Sequence, residues 1–242
     1  MNIIGIHDGH DCSVALMVNG KIVYAAQEER FSRLKGDYGF PKKAVEDLFK
    51  FSKLKPKDID LVAIGSLTLN PVLLKLKRNA QFSVADWIYE QEKFWIPKIF
   101  QNKKINYWQI FKNRIKKFDK YYNYNNKSLN SYMSKSDMQK FRLQRLESIS
   151  KYLKIEKKKI RFILHEDCHT HYSYYFFPRR EDGIAITSEG IGDYSNGSVS
   201  VIKRDKFTLK SYNRNNHLGH IYQYITLLLG MKPGNHEYKV MG

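Results

Sequence analysis

Apolar residues fall in short runs near both ends of the chain, and the runs have the length and alternation of strands. Asn2 to Ile6, Ser13 to Val18 and Lys21 to Gln27 each read as a strand. Asn19-Gly20 between the second and third supplies two positive-φ positions for a two-residue hairpin turn. The chain therefore opens as strand, polar loop, strand, tight turn, strand, with His7-Asp8-Gly9-His10-Asp11 as the loop. The same plan returns much later: Gly183 to Ser188 as a strand, Glu189 to Asn196 as a polar glycine-containing loop, then Gly197 to Lys203. There, Arg204-Asp205 turns the chain into Phe207 to Tyr212.

The segments between these copies alternate helix and strand. Phe40-Pro41 begins a helix whose Ala44, Val45, Leu48 and Phe49 recur on one face, and Lys55-Pro56 stops it. Leu61 to Ile64 and Ile160 to Leu164 are short apolar runs suited to central strands, and a helix from about His165 to Phe177 ends at Pro178. This pattern predicts an α/β fold. The duplicated strand-loop-strand-hairpin unit resembles the architecture of the actin-like ATPase and sugar-kinase (ASKHA) superfamily, whose two halves close on a nucleotide. On that reading residues 1–182 form the first subdomain, with a basic helical insertion at about 70–160. Residues 183–242 then begin the second.

Composition changes the picture little until charge is located. The chain has 242 residues, 42% hydrophobic and 27% charged, with 17 Tyr and 14 Phe, which is the make-up of a folded protein. No apolar run reaches the roughly 18 residues of a spanning helix, so no membrane partner is expected. The only two cysteines, Cys12 and Cys168, are far apart and fit a reducing, cytoplasmic setting. Of the net charge of +18, residues 70–160 carry +15. A charge run of this kind is read first as a solvated helical face, so nucleic acid is not the expected partner.

Candidate chemistry clusters in the two loops and the late helix. His165 and His169, four apart, present both imidazoles on one helical face, as two ligands of one metal require, although such a pair is also met as ordinary histidines. Glu189, just after the second-copy strand, can add a carboxylate oxygen if that strand end packs beside the helix. Cys168 reads as a small buried thiol, and His171, two residues past His169, leaves their face. In the first loop, His10 and Asp11 stand where a reacting group would approach, and a neutral imidazole there can take a hydroxyl proton. Arg33 or Lys35, after the third strand, can face an anion, and Gly190 and Gly192 around Ile191 let backbone approach a nucleotide.

Six runs in order, Gly5 to Ser13, Glu28 to Lys35, Gly39-Phe40-Pro41, His165 to His169, Glu189 to Asp193 and Glu237 to Gly242, resemble the N-terminal part of the O-carbamoyltransferase family. That family includes the nodulation-protein-U and tobramycin carbamoyltransferase types. The resemblance implies a two-step enzyme. A C-terminal YrdC-like domain makes carbamoyl-adenylate from carbamoyl phosphate and ATP, and the actin-like domain moves the carbamoyl group to a hydroxyl acceptor. It also implies a divalent metal, typically iron, on His165 and His169. Glu189 stands where the family usually has an Asp ligand, and His10 matches the first-loop histidine. Asp11, Ser13, Arg33, Lys35, Gly190, Ile191 and Gly192 are the implied substrate and nucleotide contacts. The sequence departs from the family pattern where Glu189 and Asp193 exchange acid lengths, at Gly36 and at Glu166. It ends inside the Glu237 to Gly242 motif, so the YrdC-like domain is expected to lie outside it and the 242 residues alone are not expected to complete the reaction. A tRNA threonylcarbamoyl-transfer enzyme and a non-catalytic basic binding fragment are the competing readings.

Overall fold

The computed structural model describes residues 1–69, 76, 82–111, 113, 135–178, 181–190 and 192–242. Among them eight strands form two sheets. The first runs β3-β2-β1-β4-β5, from β1 (Asn2–His7), β2 (Ser13–Val18), β3 (Lys21–Gln27), β4 (Leu61–Ile64) and β5 (Ile160–Phe162). The first three strands are an antiparallel meander, and β4 and β5 add in parallel beyond β1. The second sheet is the meander β6-β7-β8, from β6 (Gly183–Ser188), β7 (Gly197–Lys203) and β8 (Lys206–Asn213). Helices and a mixed sheet together make the α/β fold expected. Both tight turns use the dipeptides that predicted them: Asn19 and Gly20 have φ of 49° and 81°, and Arg204 and Asp205 have 48° and 59°.

Alternation sets the two faces of the first sheet. Ile4, Ile6, Val14, Leu16, Val62 and Ile64 are buried, and α2 (Lys42–Ser52) packs against them through Ala44, Val45 and Leu48. The intervening positions, Gly5, Ala15, Ala25 and Ala63, are small and floor an open cleft on the other face. Helix α1 (Glu29–Ser32) is a single turn. The Glu28 carboxylate before it accepts the Lys43 and Ala44 N–H groups at 3.1 and 2.8 Å, capping α2.

The basic middle is helical where described: α3 (Val84–Glu90) runs through a wider turn into α4 (Ile96–Phe100), followed by α5 (Tyr107–Ile110) and α6 (Lys135–Leu153). In α6, Phe141, Arg145, Ile149 and Leu153 recur every four residues and all are buried. A guanidinium in an apolar stripe needs a counter-charge, and Asp8 of the first loop provides it. Arg145 Nε and Nη2 donate to the two Asp8 oxygens at 2.9 and 2.6 Å, both side chains are fully buried, and Ser66 bonds to each. This fork ties α6 to the first loop and to the end of β4.

Removing one partner of such a pair strands a buried charge. Arg145→Ala is expected to lower unfolding free energy by about 3–5 kcal/mol, measured by urea denaturation. The double variant Asp8→Ala/Arg145→Ala should be less destabilised than the sum of the single changes.

Candidate functional site

Helix α7 (His165–Tyr175) follows β5 and begins where Leu164, an apolar residue, stands at the cap position and supplies no side-chain bond. The cap comes instead from Asp193, 28 residues later. Its Oδ2 accepts the His165 N–H at 2.7 Å and the Leu67 N–H at 2.7 Å. Its Oδ1 accepts the Thr68 N–H at 2.6 Å and the Thr68 hydroxyl at 2.8 Å. A carboxylate at a helix N-terminus is favoured by the helix dipole as well as by the bonds. Glu166 reaches back the other way, accepting the Ser195 N–H at 2.9 Å and the Ser195 hydroxyl at 3.1 Å. The two acids form a reciprocal latch between α7, the end of β4 and the loop after β6.

That latch sets the position of Glu189. The loop closes on itself through the Glu189 N–H donated to the Asn196 carbonyl at 2.8 Å, and the Glu189 side chain meets α7. His165 Nε2 lies 3.1 Å from His169 Nε2, and His169 Nε2 lies 3.2 Å from Glu189 Oε1. Two ligands bound at about 2.1 Å around one ion stand about 3.0–3.4 Å apart, the edge of an octahedron or tetrahedron, so the His165–His169 and His169–Glu189 pairs have the spacing of neighbouring ligands, and the three donor atoms all lie within 4.8 Å of one another. His165 Nδ1 lies 3.2 Å from the Gly65 carbonyl oxygen, which makes Nδ1 the protonated nitrogen and turns the Nε2 lone pair to the cluster. Two imidazoles and a carboxylate suit Fe(II) or Zn(II).

The cluster borders the cleft on the first sheet, a space of ≈ 1090 Å³. His10, Asp11 and Ser13 line it as well. His10 Nδ1 bonds Asp11 Oδ2 at 2.9 Å, and this bond, ahead of other causes, holds the Asp11 carboxyl below its ordinary range. His7 sits between, with ring centroids 5.6 Å from His10 and 5.7 Å from His165. Burial holds its pKa down to about 4, so it is a neutral imidazole. Cys168 also lines the cleft, its thiol pushed up to about 11 by burial, which makes it an unreactive thiol at neutral pH. His171 turns away, accepting no part in the cluster and stacking on Phe207 at 4.1 Å.

Two pairs of the expected contact residues stand off the cleft wall. Arg33 and Lys35 are exposed and do not line the cleft; Arg30 does. The reason is local, since α1 lasts one turn and Arg33 ends it in the left-handed conformation (φ 60°). Gly190 and Gly192 are likewise absent from the cleft wall among the described residues. A β-carbon on Gly192 would collide with the Ser195 carbonyl oxygen and with Glu166 Oε1, so this glycine serves the latch. Gly190 faces His220 on α8 (Leu218–Leu228) with room for a side chain. Ile191 lies outside the described residues, as does most of the basic stretch. Sequence reading missed Asp8–Arg145, for which the four-residue stripe in α6 was the available signal, and the roles of Asp193 and Glu166, for which there was none.

No helix among the described residues is long and apolar enough to cross a membrane. Gly192→Ala is expected to destabilise the fold by about 1–3 kcal/mol in chemical denaturation; an unchanged midpoint would remove the steric argument. Because the unfolded chain takes up a proton on His7 that the folded chain resists, the metal-free protein should lose stability as pH falls from about 6.5 towards about 4. His7→Gln should flatten that part of the stability–pH curve.

A family model described as carbamoyltransferase N-terminus matches residues 2–242. An uncharacterized protein of Methanocaldococcus jannaschii is 42% identical over 65 residues, which are 27% of this chain and 12% of that protein. The match thus spans about an eighth of that relative's length.

Proposed function

Because the chain belongs to the carbamoyltransferase N-terminal family, we propose that it forms the transfer site of a two-step O-carbamoyltransferase. In this reading a carbamoyl group, activated as carbamoyl-adenylate from carbamoyl phosphate and ATP, passes to a hydroxyl of a small-molecule or sugar acceptor. Making the adenylate falls to a YrdC-like domain outside these 242 residues. The observation that carries the reading is the convergence of His165, His169 and Glu189 on the wall of a cleft that His10 also lines. The actin-like assignment draws support from the strand order β3-β2-β1-β4-β5 and from the second meander of the same design.

The residues have separable tasks. His165, His169 and Glu189 would hold a divalent metal, iron in this proposal, which when bound supplies positive charge to the phosphate of the adenylate. His10, with Nδ1–H held by Asp11, keeps Nε2 free to accept the proton of the acceptor hydroxyl as its oxygen attacks the carbamoyl carbon. The bond from that carbon to the adenylate phosphate oxygen breaks, and AMP leaves with the electron pair. Arg30 is the guanidinium available to an anion in the cleft. The small floor of Gly5, Ala15, Ala25 and Ala63 leaves the volume for the two substrates to meet.

Metal analysis of the purified chain tests the centre. One ion per chain is expected for wild type, with loss in His165→Ala/His169→Ala and weakened binding in Glu189→Gln. Equal metal content in the double variant would overturn the site. In the enzyme completed by its adenylate-forming domain, His10→Ala should retain metal and lose about 10²–10⁴-fold in carbamoyl transfer, read by product formation.

A further inference from the structure

The helical run from Val84 to Phe100 wears its polarity the wrong way round for a helix that faces water. Its two inner acids are already engaged. Asp86 is buried and closes the start of α3, its Oδ2 accepting the Ser83 N–H and the Ser83 hydroxyl at 2.8 Å each. Glu90 is fully buried and accepts the Tyr107 hydroxyl at 2.5 Å. The outward positions are instead apolar, with Ile88, Tyr89, Ile96, Ile99 and Phe100 between 43% and 79% exposed. A surface helix ordinarily shows the opposite distribution.

The wide turn over Gln91–Trp95 joins the two halves of this stripe. A regular helix would set Ile96 about 80° round from Ile88, and a turn that takes an extra residue brings the two back towards one line. Lysines flank the stripe. Lys93 is exposed, Lys98 lies over the Phe94 and Trp95 rings at 5.1 and 5.2 Å, and exposed Lys103 and Lys104 follow α4. Against these four, the exposed acid between Val84 and Lys104 is Glu92. The whole run lies in the stretch 70–160, which carries +15 of the net +18.

We infer that this stripe seats the protein on the surface of an anionic lipid bilayer, with the helical run lying in the plane of the headgroups. Apolar side chains enter the boundary with the acyl chains, while the ammonium groups at the margin reach lipid phosphates. Charge selects this occupant. A second copy would bring +15 against +15, which like-charge repulsion opposes. A single helix face standing outward is convex and suits a plane of lipid, whereas a protein occupant would have to supply a groove. At ~25 Å the run is long enough to lie along the surface, and this mode of binding needs no helix that crosses the bilayer. The stripe belongs to helices other than the one that carries His165 and His169, so the inference depends neither on the metal nor on carbamoyl transfer.

The probe is a vesicle of phosphatidylcholine with roughly 30% phosphatidylglycerol, sedimented with the full chain. Binding should be at least about tenfold tighter than to phosphatidylcholine alone, and should weaken as salt rises from about 0.1 to about 0.5 M. Lys103→Gln/Lys104→Gln and, separately, Ile99→Asn/Phe100→Asn should each lower affinity about tenfold, with the circular dichroism spectrum unchanged. Phe100→Trp should add emission that lipids brominated on their acyl chains quench. Wild type sedimenting with neither vesicle, full binding by Ile99→Asn/Phe100→Asn, or added emission untouched by brominated lipid would each overturn the proposal; the last two would leave only charge attraction to a basic protein. So would a mass that doubles with protein concentration in wild type and not in Ile99→Asn/Phe100→Asn, which would make the occupant a second copy.

Discussion

One carboxylate holds the site together. Asp193 accepts hydrogen bonds from three backbone N–H groups and a hydroxyl, belonging to the end of β4 and to the start of α7. Those N–H groups are the kind a helix start and a strand end leave without partners, and burying them beside an apolar wall would be costly. The acid that satisfies them sits four residues past Glu189. Anchoring Asp193 therefore fixes where Glu189 is relative to His165 and His169, and the metal-ligand spacing follows from an interaction that touches no metal.

The two acids that follow the equivalent strands have opposite surroundings. Asp8 follows β1 as Glu189 follows β6. Asp8 is neutralised by a forked guanidinium in a fully buried position, with Arg145 also stacked over Phe162 at 4.9 Å. It is closed to any ligand and fixes the loop that carries His7 and His10. Among the described residues Glu189 has no guanidinium partner, and it stays partly open and lies against an imidazole. One loop of the repeat is thus locked by its acid while the other presents its acid to the cleft.

The cleft between them exists because one face of the first sheet is paved with Gly and Ala. Larger residues at those alternating positions would fill the space where His7, His10, His165 and Cys168 converge. Dense burial on the opposite face, by α2 and the aromatic core of the middle segment, stabilises the sheet without needing this face. The same separation of duties holds His7 neutral, since a buried imidazole beside two others is disfavoured as a cation.

Period and turn chemistry are local, so the strands, the α/β class, both hairpin turns and the α2 helix were legible from residues within a few positions of each other. The histidine pair was legible for the same reason, because a spacing of four places two side chains together on any helix. Glu189 was legible as their third partner only on the condition that the end of β6 packs beside the helix, and the chain path after β6 decides that condition. Arg33 and Lys35 stand off the cleft wall because α1 lasts one turn and Arg33 ends it in the left-handed conformation, a turn length that the charge pattern of the segment does not mark. Arg145 looked like one more cation of a basic stretch, and its partner lies 137 residues away. Charge pairing across such a separation follows from packing two elements together, and no pattern along the chain encodes it.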